Sequence, residues 1–186
     1  MEFQIGHIGN VAVLETFFSV NRKTFNIKTI YRSPSLSIKN FNSGLENYLN
    51  ANSLNVDFQI IIGDINIDLL CDNIKTQEYL NILNEKGFVS LINDVPTRIQ
   101  ENSRSCLDHI FIRVNNSTFE IENIIPIVLN STITDHTPLI KQMIFNNFTN
   151  QPNKKSTLKS INKIDYKMLR EDLYSVNWSY MFSMDC

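Results

Sequence analysis

The stretch Ile60-Ile61-Ile62-Gly63-Asp64-Ile65-Asn66-Ile67-Asp68 decides how the rest of the chain is read. Three consecutive β-branched residues predict a strand buried on both faces, and Gly63 supplies a break where that strand reaches an exposed rim. In an extended backbone side chains alternate, so Asp64, Asn66 and Asp68 are expected on one side and Ile65 and Ile67 on the other. The expectation is a row of oxygen ligands on an apolar base.

Working outward, Val11 to Phe18 and Thr24 to Tyr31 are β-rich runs joined around Asn21-Arg22-Lys23, the pattern of an antiparallel hairpin. Ser33-Pro34-Ser35 breaks the second run. From Ile38 to Leu54, Phe41, Leu45, Tyr48 and Leu49 recur at helical spacing and predict an amphipathic helix. Past the central strand, Thr76 to Lys86 predicts a second helix that Gly87 terminates. Phe88 to Ile92 reads as a short strand or edge. Thr97 to Arg104 is polar and loop-like. Strands are then expected at Cys106 to Ile112, Phe119 to Val128 and Pro138 to Phe145, the last preceded by the corner Thr134-Asp135-His136. These elements together give an α+β fold class.

Composition bounds the function. The chain has 186 residues, 42% of them hydrophobic, and a formal net charge of −2. That is enough for one domain with a real core, and no global field marks it for an anionic surface. Its three cysteines, Cys71, Cys106 and Cys186, fit neither a disulfide frame nor a zinc cluster and point to a reducing, intracellular compartment. Met1 to His7 lacks the features of a secretory signal, and no apolar run approaches membrane length, so no membrane partner is expected. Asn, Gln, Pro, Lys and Ser dominate from Asn146 to Ser160. The expected organisation is a domain over 1–146, a polar linker over 147–163 and a helical region over 164–186, with a helix from Asp165 to Trp178.

Polar residues gather at four strand ends: Tyr31-Arg32, Asp64 with Asn66, Asp108 with His109, and Asp135 with His136. Hard cations take oxygen ligands and retain waters, and a histidine paired to a carboxylate can serve as base or electrostatic clamp. Together these suit metal-assisted phosphodiester hydrolysis. Each signal also has a plain alternative. Gly-Asp after a strand is often a turn, Asp135-His136-Thr137-Pro138 can be a loop corner, and Tyr31 can be a half-buried strand aromatic. Asp108 is harder to set aside, because a carboxylate in an apolar run needs a partner.

The order of the motifs carries more than any one of them. Ile30-Tyr31-Arg32-Ser33-Pro34, Ile62-Gly63-Asp64-Ile65-Asn66, Ser105-Cys106-Leu107-Asp108-His109-Ile110-Phe111 and Thr134-Asp135-His136 resemble the endonuclease/exonuclease/phosphatase superfamily over about residues 10 to 145. The wording is similar to the endonuclease domain of non-LTR retrotransposons. The resemblance implies a four-layer αββα sandwich, here incomplete and with its N-terminal strands missing, so that an apolar sheet edge or face is exposed. It implies a Mg²⁺- or Mn²⁺-dependent DNA endonuclease, with no small-molecule cofactor, a reverse transcriptase in cis and a nuclear place of action.

Carried onto this chain, the resemblance gives Asp64 and Asn66 the attacking water and contact with phosphate. His136 stabilises the scissile phosphate, oriented by Asp108; Tyr31 hydrogen-bonds phosphate; Asp135 contributes to the metal site. Asp68 and His109 fall outside the catalytic positions, and Thr134 stands where Ser is usual. The family's upstream Asn and metal-binding Glu have no counterpart, and Glu15 lies in a strand where the family has no catalytic residue. The expectation is therefore weak or absent metal binding and impaired cleavage. The alternative is an inactive remnant acting as a nucleic-acid or protein binding module.

Overall fold

In a computed structural model the described residues are 1–52, 55–92, 94–100, 103–115, 124–128, 134–137 and 139–143. The polar linker and the helix expected after residue 146 lie outside them, as does most of the run from Phe119 to Ile133.

The main sheet has six strands, in the spatial order Glu2–Ile8, Val11–Val20, Lys23–Ile30, Phe58–Asp64, Asp108–Val114 and Val89–Ser90. Its chain begins with β1 (Glu2–Ile8), β2 (Val11–Val20) and β3 (Lys23–Ile30), an antiparallel meander. Asn21 and Arg22 both have positive φ, the two-residue turn whose twist matches the flanking strands. Lys23 therefore belongs to β3 rather than to the connector. Helix α1 (Ile38–Ala51) then crosses over and lets β4 (Phe58–Asp64) run parallel to β3. Ser37 caps α1 by accepting from the Asn40 N–H.

Asn73 accepts from the N–H groups of Lys75 and Thr76, so α2 (Ile74–Glu85) starts two residues before the periodicity predicts. Gly87, with positive φ, follows its end as expected. Short β5 (Val89–Ser90) pairs with β8 (Asp108–Val114), which lies antiparallel to β4. Between them, the segment expected as loop folds into a small hairpin of β6 (Arg98–Gln100) and β7 (Ser103–Ser105). Strands β9 (Ile124–Val128) and β10 (Leu139–Met143) form a separate antiparallel pair.

The period of two divides the main sheet. Val13, Ile30, Ile61 and Phe111 join Phe41, Leu45 and Leu49 of α1 and Tyr79 and Leu83 of α2 in one core. On the other face Phe25, Phe58 and Ile112 form a smaller cluster with Phe18 and Ile60. On that face, toward edge strand β1, Phe3 and Ile5 remain 63% and 70% exposed, next to the exposed Leu14. Glu15, the residue with the wrong position for a metal ligand, points into the helix-covered core. There it accepts from Tyr48 and from Asn26 and pairs with buried Lys28 at 3.7 Å. No described helix is long and apolar enough to cross a membrane.

Candidate active site

Gly63 does not end the strand; β4 continues through Asp64. Its role is proximity. At φ +145° its backbone lies so close to β3 that an added Cβ would sit 1.8 Å from the Ile30 carbonyl oxygen, and only glycine fits there. The exits of β3 and β4 are thereby drawn together, and the Arg32 N–H donates to the Asp64 carbonyl at 3.0 Å.

Beyond Asp64 the backbone is not extended. Asn66 adopts φ +54°, a left-handed conformation that asparagine tolerates better than most residues. The expected row of three ligands is therefore broken, although Ile65 and Ile67 are buried as predicted. Asn66 donates its backbone N–H to Asp64 Oδ1 at 3.2 Å and its side-chain Nδ2 to the Arg32 carbonyl at 2.9 Å. Asp68 is spent on structure: its carboxylate accepts from the N–H groups of Leu70 and Cys106 and ties the two loops together.

Asp64 and Asp108 face each other as a registered pair on β4 and β8. His136 completes the group: its Nδ1 lies 2.9 Å from Asp108 Oδ2. One ligand atom from each of Asp64, Asp108 and His136 falls within 4.8 Å of the other two. All three side chains are partly buried. Burial, then the neighbouring Asp108 carboxylate, hold the Asp64 carboxyl above its usual range, while His136 and the Asn66 bonds oppose this. Two carboxylates that repel across a partly dry site are relieved by a cation between them. An octahedral cation with ligands near 2.1 Å spans about 4.2 Å from one ligand to the opposite one, comparable with the 4.8 Å within which these three atoms lie. The donor set fits a divalent metal ion.

Asp135, expected at the metal, is not among these three groups. Its carboxylate accepts from Arg98 Nε at 2.7 Å, and that bond holds its pKa below the usual carboxylate value. Tyr31 stands at the exit of β3 between Ile30 and Arg32 and is 63% exposed. Thr134 keeps the corner's hydroxyl, which accepts from the His136 N–H and donates to the His136 carbonyl.

Two supporting residues escaped the sequence reading. Buried Thr97 accepts through Oγ1 from the N–H groups of Leu107 and Asp108, while its carbonyl accepts from the N–H and Oγ1 of Thr137. It thereby brings the residues flanking Asp108 and His136 to one point. Arg98 bridges to His136 in β fashion and engages Asp135. A β-branched residue directly after Pro96, followed by a cation, was the available signal for a strand start. Arg32 stands at the exit of β3, as expected, and its side chain is buried.

The fold is that of the endonuclease/exonuclease/phosphatase superfamily. Among solved structures, the chain is similar to the endonuclease domain of TRAS1, a telomere-specific non-LTR retrotransposon, at 17% identity and TM-score 0.56. That alignment covers 74% of this chain and 65% of the TRAS1 domain. It is similar also to the Neisseria 3′ phosphatase NExo bound to product DNA hairpin, at 12% identity and TM-score 0.56, covering 77% of this chain and 70% of that one. Zebrafish (D. rerio) TDP2 complexed with a single-strand DNA product follows at 15% identity and TM-score 0.54, with coverages of 75% and 65%. The chain thus spans about two thirds of the length of these structures. No family model and no curated protein matches its sequence.

Proposed function

We propose that the chain belongs to a metal-dependent phosphodiester hydrolase acting on DNA, of the non-LTR retrotransposon endonuclease kind, with Mg²⁺ or Mn²⁺ as the metal. The observation that carries this reading is the convergence of Asp64, Asp108 and His136 from three separate segments within 4.8 Å. DNA is the proposed partner, with a reverse transcriptase in cis and the nucleus as the place of action.

In this reading Asp64 takes the proton of the attacking water, which its raised pKa favours, and Asn66 fixes that water and a phosphate oxygen. His136 donates to a non-bridging oxygen of the scissile phosphate. Its Nδ1 contact with Asp108 leaves Nε2 for that task. Tyr31, exposed at the neighbouring strand exit, donates to the phosphate from the side. A bound divalent ion supplies neutralisation of the phosphate charge. Asp64 and Asp108 would hold it, with Asp135, here bonded to Arg98, as a further proposed ligand.

One observation favours the second reading, a DNA-binding module that does not cleave. Among the described residues the converging group offers two carboxylates, and the acid next to His136 in sequence is committed to Arg98. Plasmid nicking separates the two. Cleavage that requires Mg²⁺ or Mn²⁺ and disappears in Asp64→Ala supports the hydrolase; DNA binding without metal-dependent nicking supports the module.

A further inference from the structure

Arg32 is 1% exposed, and no carboxylate lies within ion-pairing distance of it among the described residues. A buried guanidinium is costly unless its donors are satisfied. Here they are satisfied by backbone. Nε donates to the Ile65 carbonyl at 2.6 Å, Nη2 to the Asn66 carbonyl at 2.7 Å, and Nη1 to the Leu36 carbonyl. Its plane lies near the Phe41 ring, with Cζ 5.9 Å from the ring centroid.

The main chain of Arg32 holds the same strap from the other side. Its N–H donates to the Asp64 carbonyl, and its carbonyl accepts from Asn66 Nδ2. One residue thus bonds Asp64, Ile65 and Asn66 in succession. The strap it grips contains the left-handed Asn66, a conformation that needs outside support to persist. An apolar side chain could fill this volume without the desolvation cost, but it would fix no angles. The planar fork of arginine does fix them, and the single ammonium of lysine does not.

We infer that Arg32 is a positioning residue that sets the Asp64–Asn66 pair in its working geometry. This rests on the hydrolase reading above for its catalytic consequence, but not for the clamp itself. The residue is buried and acts through Asn66.

The test uses Arg32→Lys in the full chain, with a double-mutant cycle against Asn66→Ala. A mere loss of stability adds to the Asn66→Ala effect, whereas positioning through Asn66 does not. Arg32→Lys is expected to lower kcat for metal-dependent nicking by about tenfold or more, with KM for DNA within about threefold. In the Asn66→Ala background it should cost less than about twofold further. Independent, equal losses in both backgrounds, or a change confined to KM, overturn the inference.

A second measurement needs neither cleavage nor a folded variant. Exchange of the Asn66 side-chain amide protons in the wild-type chain, followed by NMR, should be slower than at exposed asparagines by about tenfold. Where Arg32→Lys folds, that protection should fall, because the strap freed from the guanidinium shifts Asn66 Nδ2 relative to the residue 32 carbonyl that both chains carry. Fast exchange in the wild type, or protection that the substitution leaves unchanged, overturns the clamp. If wild-type protein shows the protection but no metal-dependent nicking, the clamp stands and the hydrolase reading falls.

Discussion

Two acid–histidine doublets, Asp108-His109 and Asp135-His136, look alike in sequence and do opposite work in the fold. His109 is buried under α2. Its Nε2 lies 2.9 Å from the Ile67 carbonyl and 3.1 Å from that of Cys106, and its Nδ1 lies 3.1 Å from the Tyr79 hydroxyl. Two carbonyls can only accept, so Nε2 carries the proton and Nδ1 accepts from Tyr79. His136 is half-exposed at the rim and spends one nitrogen on Asp108 of the other doublet. Burial with every partner internal makes a brace; burial by half, with one nitrogen left for outside, suits the reactive group proposed for His136. The acids divide in the same manner, Asp108 facing the converging group and Asp135 held by Arg98.

The largest effect should therefore separate the two histidines by kind. His136→Ala is expected to lower metal-dependent nicking by about a hundred- to ten-thousandfold while leaving the melting temperature almost unchanged. His109→Phe keeps an aromatic ring but strands the Tyr79 hydroxyl and the Ile67 carbonyl, while the Cys106 carbonyl keeps the Leu69 N–H, at about 2 to 4 kcal/mol. Urea unfolding should register that loss, while the nicking rate per folded molecule stays within about threefold. If His109→Phe abolished nicking without loss of stability, the distinction between brace and reactive group would collapse.

Much of this was legible in the sequence, and the parts that were not have physical causes. Strands β2, β3 and β4, both helices, β8 and the order of polar strand ends follow from periodicity and motif, because each buries a regular apolar set. Strand β1 went unread: Glu2-Phe3-Gln4-Ile5 alternates, but its Phe3 and Ile5 stay exposed, so there is little burial to announce it. The β6–β7 hairpin went unread because Arg98-Ile99-Gln100 and Ser103-Arg104-Ser105 have no apolar face. Bonds to residues forty positions away, such as Thr97 to Thr137, hold it instead. The alternation expected at Asp64, Asn66 and Asp68 failed at Asn66, since a buried arginine from just beyond the end of β3 overrides the local extended geometry. For the same reason the sequence could not give Asp135 its partner.

A pH dependence sharpens the comparison further. Burial lowers the His109 pKa to about 4, against its ordinary value of 6.5. The folded state then binds fewer protons than the unfolded chain between those values. The stability carried by neutral His109 is complete above pH 6.5 and is lost as pH falls through about 4. Its size is on the order of 3 kcal/mol. Subtracting the unfolding free energy of His109→Phe from that of the wild type across pH 4 to 7 isolates this contribution from the carboxylates. A flat difference would mean that His109 titrates normally and is less completely enclosed than its three partners imply.

The smallest effect asks whether burial or partnering makes the brace. Asn42 of α1 is 4% exposed, but neither its Oδ1 nor its Nδ2 has a hydrogen-bond partner among the described residues. Such an amide carries the desolvation cost that His109 avoids through its three bonds. Asn42→Leu is close in shape, improves helix propensity and removes two unpaired polar atoms. It should stabilise the chain by about 1 kcal/mol, a rise of a few degrees in Tm for a domain of this size, with nicking unchanged. The opposite sign for a polar-to-apolar change at His109 and at Asn42 follows only if the partners carry the stability. Destabilisation by Asn42→Leu would place a partner on Asn42 and remove the contrast with His109.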